Sequence, residues 1–168
     1  MERKQFLKKS LAATGLLGIT PIISFAGFQQ QDPQLDKKLV EEFVGISHTN
    51  MDKAKPLLEE HPNLLNAAHD WKYGDFETGL GAASHVGYKE LAQYYIDKGA
   101  QANIFTACLF GKIDVVKAMV KAFPNIIYAR GPHGFTLLHH AIRGKEDALE
   151  VKEYLEYLGC KETKYKLY

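Results

Sequence analysis

The residues of this sequence that are best suited to chemistry are carboxylates and imidazoles in its central and C-terminal parts. They are Asp70, Asp75, Glu77, His85 and His133, with Trp71 among them. Two imidazoles and a carboxylate can ligate a metal ion or act as an acid and a base. The chain contains no His-Glu-x-x-His pair, no Gly-x-Ser-x-Gly turn and no phosphate-binding loop. Any chemistry therefore depends on whether the fold brings these side chains together.

A second group of imidazoles, His139 and His140, is adjacent in the sequence. Neighbouring residues on a helix point about 100° apart, so the two rings are not expected to face one another or to share a ligand. We expect His140 to be a solvated or half-buried surface group.

Length and composition indicate an ordinary globular chain. It has 168 residues, of which 46% are hydrophobic and 24% charged, enough for one core. Residues 1–26 carry an excess of three positive charges, so the formal net charge of +1 leaves −2 for the remainder. A weakly acidic body lacks the positive surface that binds phosphate backbones. Nucleic acid is therefore not an expected partner.

The N-terminus is typical of an export signal. A basic start is followed by an apolar run, Leu11–Phe28, and by the small-x-small cleavage signal Ser24-Phe25-Ala26. The run is short for a bilayer span of about 20 residues and carries Gly15, Gly18 and Pro21. These features favour a cleaved signal over a membrane anchor.

The basic start also resembles the twin-arginine export motif. Arg3–Lys8 reads RKQFLK, with Lys4 in place of the second arginine, so the general secretory route also stays open. We predict a signal peptide over 1–26, a linker over 27–35 and one domain over 36–168. The mature chain is expected in the periplasm or outside a bacterial cell, without a stable membrane anchor.

One stretch, Asp75–Asn103, shows the pattern that organises the domain. Its residues DFETGLGAASHVGYKELAQYYIDKGAQAN match the template T-P-L-H-x-A at Thr78, Leu80 and Ala83. A glycine turn, an apolar helix and a closing Gly-Ala pair follow in register. This stretch resembles an ankyrin repeat.

The neighbouring segments resemble further ankyrin repeats with altered spacing. The glycine turn of the next repeat, Gly111, lies 24 residues after Gly87, whereas the family period is about 33 residues. Similar small bacterial ankyrin proteins carry Gly-Asp-aromatic-Glu-Thr and Gly-Pro-His-Gly runs, which are Gly74–Thr78 and Gly131–Gly134 in this chain. The resemblance implies an all-α fold, a solenoid of about four helix-turn-helix repeats whose third repeat is shortened.

The resemblance also implies a concave binding face, formed by the fingers and by the ends of the first helices. The positions assigned to this face are Trp71, Tyr73, Asp75, Glu77, His85, Val86, Leu109, Phe110, His133, Phe135 and Arg143. Ankyrin proteins usually bind other proteins and rarely catalyse reactions. We therefore expect an exported monomer that binds an unidentified protein, without catalysis, cofactor or metal. The template histidine position, His139, is expected to tie its helix to the adjacent loop.

Loss of the third finger predicts a notch in this face. Its expected walls are Glu77, His85, Phe110 and His133. A metal-dependent enzyme or a small-ligand binder that uses this notch is the alternative function. Leu109 and Phe110 are surplus to the apolar helix face formed by residues such as Val115, so we expect them to form an exposed apolar patch.

Overall fold

The computed structural model describes residues 34–168, which form one unit. The predicted signal peptide and nearly all of the predicted linker lie outside the described residues. No helix within residues 34–168 has the length and apolar character needed to cross a membrane.

Helices dominate the described residues, in agreement with the predicted all-α class. The helices are α1 (Lys37–Ile46), α2 (Met51–Glu60), α3 (Gly79–Val86), α4 (Lys89–Asp97), α5 (Ile104–Leu109), α6 (Ile113–Ala122), α7 (Leu137–Gly144) and α8 (Leu149–Tyr157). Short 3₁₀ turns span Pro62–Asn66, Pro124–Tyr128, Pro132–Gly134 and Lys145–Ala148. Pro56 lies inside α2, although proline fits best in the first turn of a helix.

Side-chain caps fix where α3, α5 and α7 begin. Thr78, Asn103 and Thr136 accept hydrogen bonds from backbone N–H groups in the first turns of α3, α5 and α7. At the other end of α3, Gly87 forms the predicted glycine turn and has a positive φ of 83°. A side chain at Gly87 would also contact Arg143 of α7, so the turn after α3 lies against the end of α7.

The finger before α3 is a β-hairpin, the one sheet among the described residues. Strand β1 (Ala68–Asp70) pairs antiparallel with β2 (Phe76–Thr78), and His69 lies opposite Glu77. Successive residues of a strand point to opposite faces. Phe76 is consequently exposed, whereas Glu77 is buried.

Two apolar clusters make up the core. The first comprises residues of α1 to α4, including Phe43, Leu91 and Tyr95, and also Leu109 from α5. The second comprises residues of α5 to α8. The clusters meet where α5 packs between α3 and α7.

The prediction of an exposed apolar patch at Leu109 and Phe110 is wrong. Leu109 is fully buried in the first cluster, and Phe110 is half-buried against it. The six-residue helix α5 has α3 on one side and α7 on the other, so its final turn faces neighbouring helices. Val115, predicted to be in the apolar face, is exposed instead, and Val116 fills the core.

The predicted surface position of His140 is also wrong. Its ring is fully buried, 5.1 Å from the ring of Phe105, and its Nδ1 lies 2.8 Å from the carbonyl oxygen of Thr136. Since α7 is covered by α5 and α8, both adjacent histidines of α7 are buried, although they point in different directions.

The C-terminal tail binds the loop before α7. The backbone N–H of Tyr165 donates to the carbonyl oxygen of Gly134, and that of Thr136 donates to Thr163. Gly134 has a φ of 78°, and a side chain there would clash with the backbone of Tyr165. The tail therefore holds the loop that contains His133.

Candidate metal centre

Four side chains of metal-ligating type converge at one place in the structure. His48, Glu77, His85 and His133 each offer one donor atom, and these atoms all lie within 4.8 Å of one another. His48 follows α1, Glu77 is in β2, His85 is in the last turn of α3, and His133 is in the loop before α7. The sequence placed the last three around a notch but missed His48.

Glu77 is the centre of this group. Its Oε2 atom lies 3.3 Å from Nε2 of His48 and 3.3 Å from Nε2 of His133. Its Oε1 atom lies 2.9 Å from Nε2 of His85. The Nε2 atoms of three imidazoles therefore surround a single carboxylate.

Burial increases from the edge of the cluster towards the carboxylate. The exposed fractions of the side chains are 27% for His133, 20% for His48, 8% for His85 and 0% for Glu77. Oε1 of Glu77 and Nε2 of His85 are both buried, and neither forms a hydrogen bond of good geometry. Such atoms are uncommon in folded proteins and call for an explanation.

In two of these histidines the other ring nitrogen, Nδ1, already has a hydrogen-bond partner. Nδ1 of His48 lies 3.0 Å from the carbonyl oxygen of Val44 and 3.1 Å from that of Gly45. Nδ1 of His133 lies 2.8 Å from Oδ2 of Asp75. Carbonyl and carboxylate oxygens only accept hydrogen bonds, so Nδ1 carries the proton in both rings. In the neutral form, each ring then directs the lone pair of Nε2 at Glu77.

Asp75 also fixes the backbone at His133. Its Oδ1 atom accepts a hydrogen bond of 2.7 Å from the backbone N–H of His133. His133 has a φ of 57°, a left-handed conformation that is unfavourable for a residue with a side chain and tends to occur at functional sites. Asp75 and the C-terminal tail hold this strained residue against the hairpin.

The cluster keeps Glu77 ionised. Burial raises the pKa of the carboxyl group, but the neighbouring imidazoles of His48 and His85 outweigh that effect and lower the pKa to about 2. In return, the hydrogen bond to Glu77 raises the pKa of His48, despite the opposing effect of burial. The carboxylate of Glu77 is therefore ionised and can attract a cation.

Aromatic rings flank the cluster. Phe135 stacks on His85 with the ring centroids 5.0 Å apart, and Trp71 lies 6.0 Å from His133 and 6.2 Å from His48. The indole N–H of Trp71 donates a hydrogen bond of 2.7 Å to Oε2 of Glu77. Trp71, Asp75 and Phe135, all predicted for the concave face, thus border the same centre.

The remaining predicted positions lie elsewhere. Phe110, the expected fourth wall of the notch, lines a separate cavity of about 460 Å³ together with Ile96 and Met119. Arg143 is exposed beside the turn at Gly87, and Val86 is half-buried. Tyr73 is at the tip of the hairpin, 87% exposed.

His139 has a structural contact, with a helix and not with the adjacent loop that was expected. Its Nε2 lies 2.8 Å from the carbonyl oxygen of His85. This contact links α7 to the last turn of α3 and so helps to hold His85 in place.

His48 was missed because the first helix pair matches the repeat template poorly, so no template position marked this histidine. His48 lies at the end of the first helix of its pair, as His85 does in the next pair. A histidine at this position could have identified it from the sequence.

No protein-family model matches the chain, and no curated protein matches it at a significant level.

Proposed function

We propose that this protein binds a divalent transition-metal ion, with Zn²⁺ as the best fit. The ligands are His48, His85, His133 and Glu77. The observation that carries the proposal is the arrangement of three imidazole Nε2 atoms around one buried carboxylate. Imidazole nitrogens suit Zn²⁺, Cu²⁺, Fe²⁺ and Ni²⁺, whereas Mg²⁺ and Ca²⁺ prefer oxygen ligands.

A cation explains the unpaired atoms better than hydrogen bonding within the cluster does. A neutral imidazole and a carboxylate that face each other through lone pairs repel, unless a proton or a metal ion lies between them. A proton satisfies one such pair at a time, whereas one metal ion satisfies all four donors.

The spacing of the donor atoms is close to that of a metal site. Two ligands that each bind one ion at about 2.1 Å can be at most about 4.2 Å apart. The four donors already lie within 4.8 Å of one another. They need to approach by less than about 1 Å, which a change of side-chain torsions supplies.

The residues behind the ligands also fit a metal site. Histidines that ligate metals usually donate the other ring N–H to a carboxylate or a backbone carbonyl. His133 donates to Asp75 and His48 donates to backbone carbonyls. A divalent ion would carry two positive charges against the two carboxylates Glu77 and Asp75, so the buried charge would be balanced.

The test is titration of the tag-free, full-length chain with Zn²⁺ after dialysis against EDTA. We expect one ion per chain by isothermal titration calorimetry, and a change in fluorescence of Trp71, the single tryptophan of the chain. His85→Ala should abolish the change. The matched control is His61→Ala, which alters a histidine beside Glu60 outside the cluster. Equal Zn²⁺ binding by wild type and His85→Ala would contradict the proposal.

We further propose that the helix pairs form an ankyrin-type solenoid with a shortened third repeat, and that the chain is exported as a monomer. The caps at Thr78 and Thr136, the positive φ at Gly87 and the direct start of α5 after Asn103 support the repeat register. The N-terminal sequence supports export. The absence of catalysis stays a prediction.

Protein binding is the second candidate function, and exposed aromatic residues at the hairpin favour it. Tyr73 and Phe76 are 87% and 61% exposed, and the ring of Tyr168 contacts that of Tyr73 at 5.3 Å. Exposed apolar groups of this kind often contribute to interfaces. A pull-down from periplasmic extract should recover a partner with the wild-type chain and lose it with Tyr73→Ser. Recovery by both baits, or by neither, would count against this face.

A further inference from the structure

The indole of Trp71 makes one polar contact with the candidate metal centre. It donates to Oε2 of Glu77 at 2.7 Å, whereas Oε1 has no hydrogen bond of good geometry. One oxygen of this carboxylate therefore has a well-placed hydrogen-bond donor, and the other does not. An indole N–H is only a donor and cannot ligate a metal, so Trp71 can affect the metal only through Glu77.

The hairpin fixes the indole in this position. The backbone N–H of Trp71 donates to the carbonyl oxygen of Asp75 across the hairpin, and the ring packs edge-on against His69 with centroids 4.5 Å apart. The side chain is half-buried. The N–H group thus points at Glu77 before any ion arrives.

A carboxylate can bind a metal ion through one oxygen or through both. With three imidazoles, one-oxygen binding gives four ligands, the number usual for Zn²⁺. Two-oxygen binding gives five ligands, closer to the six that Mn²⁺ and other ions of the octahedral class take. Control over the second oxygen is thus control over the coordination number.

We propose that Trp71 is a positioning residue that restricts Glu77 to binding through one oxygen, and that it thereby makes the centre selective for four-coordinate ions. The favoured ions are Zn²⁺ and Co²⁺, and the disfavoured ion is Mn²⁺. This inference rests on the metal-binding function proposed above.

Two contacts carry the inference. The hydrogen bond to Oε2 competes with a metal ion for the electron pairs of that oxygen and leaves Oε1, beside His85, as the free ligand. The indole ring also lies about equally far from the rings of His48 and His133, at 6.2 and 6.0 Å. It therefore occupies a side of the cluster from which water could otherwise add as a further ligand.

The test compares wild type with Trp71→Phe, which keeps an aromatic ring and removes the N–H. The probe is Co²⁺ alone, whose visible absorption is intense in four-coordinate sites and weak in sites with more ligands. We expect an intense spectrum from wild type, a clearly weaker one from Trp71→Phe, and a Zn²⁺ over Mn²⁺ preference about tenfold lower in the variant. Tyr157→Phe, at an exposed aromatic residue of α8 away from Glu77, is the control and should match wild type.

Each outcome has a separate meaning. A wild-type chain that binds neither Co²⁺ nor Zn²⁺ would overturn the metal-binding function itself. Binding with the same spectrum and the same ion preference in wild type and Trp71→Phe would overturn only the role of Trp71. A measurement that needs no variant is X-ray absorption of the Zn²⁺-loaded wild type, in which five or six neighbouring atoms, instead of four, would also overturn that role.

Discussion

The two groups of histidines in this protein have opposite surroundings. His48, His85 and His133 surround the carboxylate of Glu77, and that carboxylate raises the pKa of His48. His140 has a backbone carbonyl and apolar walls around it, and burial lowers its pKa to about 4. Residue type is the same in both groups. The partner decides whether an imidazole is available to a cation or stays neutral as part of the core.

The largest expected effect comes from removing the carboxylate that distinguishes the two groups. Glu77→Gln keeps the shape of the side chain but removes the negative charge and a strong ligand. We expect Zn²⁺ affinity to fall by about 1,000-fold, because the charged ligand of a buried site contributes more than the groups behind it. Calorimetric titration measures the change. The exposed carboxylate of Glu59 supplies the control, Glu59→Gln, and an unchanged affinity of Glu77→Gln would exclude Glu77 as a ligand.

The second prediction concerns the pH dependence of stability of the metal-free protein. Because His140 binds its proton only near pH 4 when folded but near pH 6.5 when unfolded, it stabilises the fold above pH 6.5 and loses this contribution as the pH falls towards 4. The expected loss is about 3 kcal/mol. Urea unfolding at several pH values measures it.

Three other groups need to be separated from His140 in that experiment. One of them, His139, has the same sign, because burial also lowers its pKa. The raised pKa of His48 has the opposite sign, because its contribution is present below pH 6.5 and is lost as the pH rises through its folded pKa. Glu77 contributes above pH 4.5 and loses its contribution only as the pH falls towards 2. The difference between wild type and His140→Leu therefore isolates His140. Equal losses in both proteins between pH 6.5 and 4.5 would contradict the assignment.

A smaller effect is expected from the carboxylate behind His133. Asp75→Ala removes the hydrogen-bond acceptors for Nδ1 and for the backbone N–H of His133. We expect Zn²⁺ affinity to fall by about 10-fold to 100-fold. Asp75→Asn, which retains an acceptor oxygen, should lose less. Asp75→Ala with wild-type affinity would show that the loop holds His133 without this side chain.

The smallest effect on the centre is expected from Phe110→Ala. Phe110 is half-buried against the first apolar cluster and lines a different cavity. We expect a loss of about 2 kcal/mol of unfolding free energy, less than for a fully buried ring, and no change in Zn²⁺ affinity. A urea midpoint equal to that of wild type would restore the exposed position that the sequence predicted, and weaker Zn²⁺ binding would place Phe110 near the centre.

The sequence predicted the helices well because their signals are local. Two examples are the start of α5 directly after Asn103 and the positive φ of Gly87. Both depend on residues that are close in the chain. The hairpin was predicted only as a finger, since its strands are three residues long. Periodicity over so few residues does not distinguish a strand from a loop.

Errors in the predicted burial arose where neighbouring helices decide which side is covered. Leu109 and His140 are buried because α5 and α7 are each packed on more than one side, which an amphipathic pattern does not reveal. The candidate site was predicted in part. Glu77, His85 and His133 follow from the repeat register, whereas His48 comes from the helix pair that departs most from the template.

The order of the ligands along the chain also fixes when the centre can assemble. His48, Glu77 and His85 belong to the first two helix pairs, and His133 comes only in the loop before the last pair. During synthesis, the early part of the domain can offer three donors at most. The fourth arrives after the last loop has been made and secured by the C-terminal tail. Tight capture of an ion at the proposed centre would then be a late event in the life of each molecule.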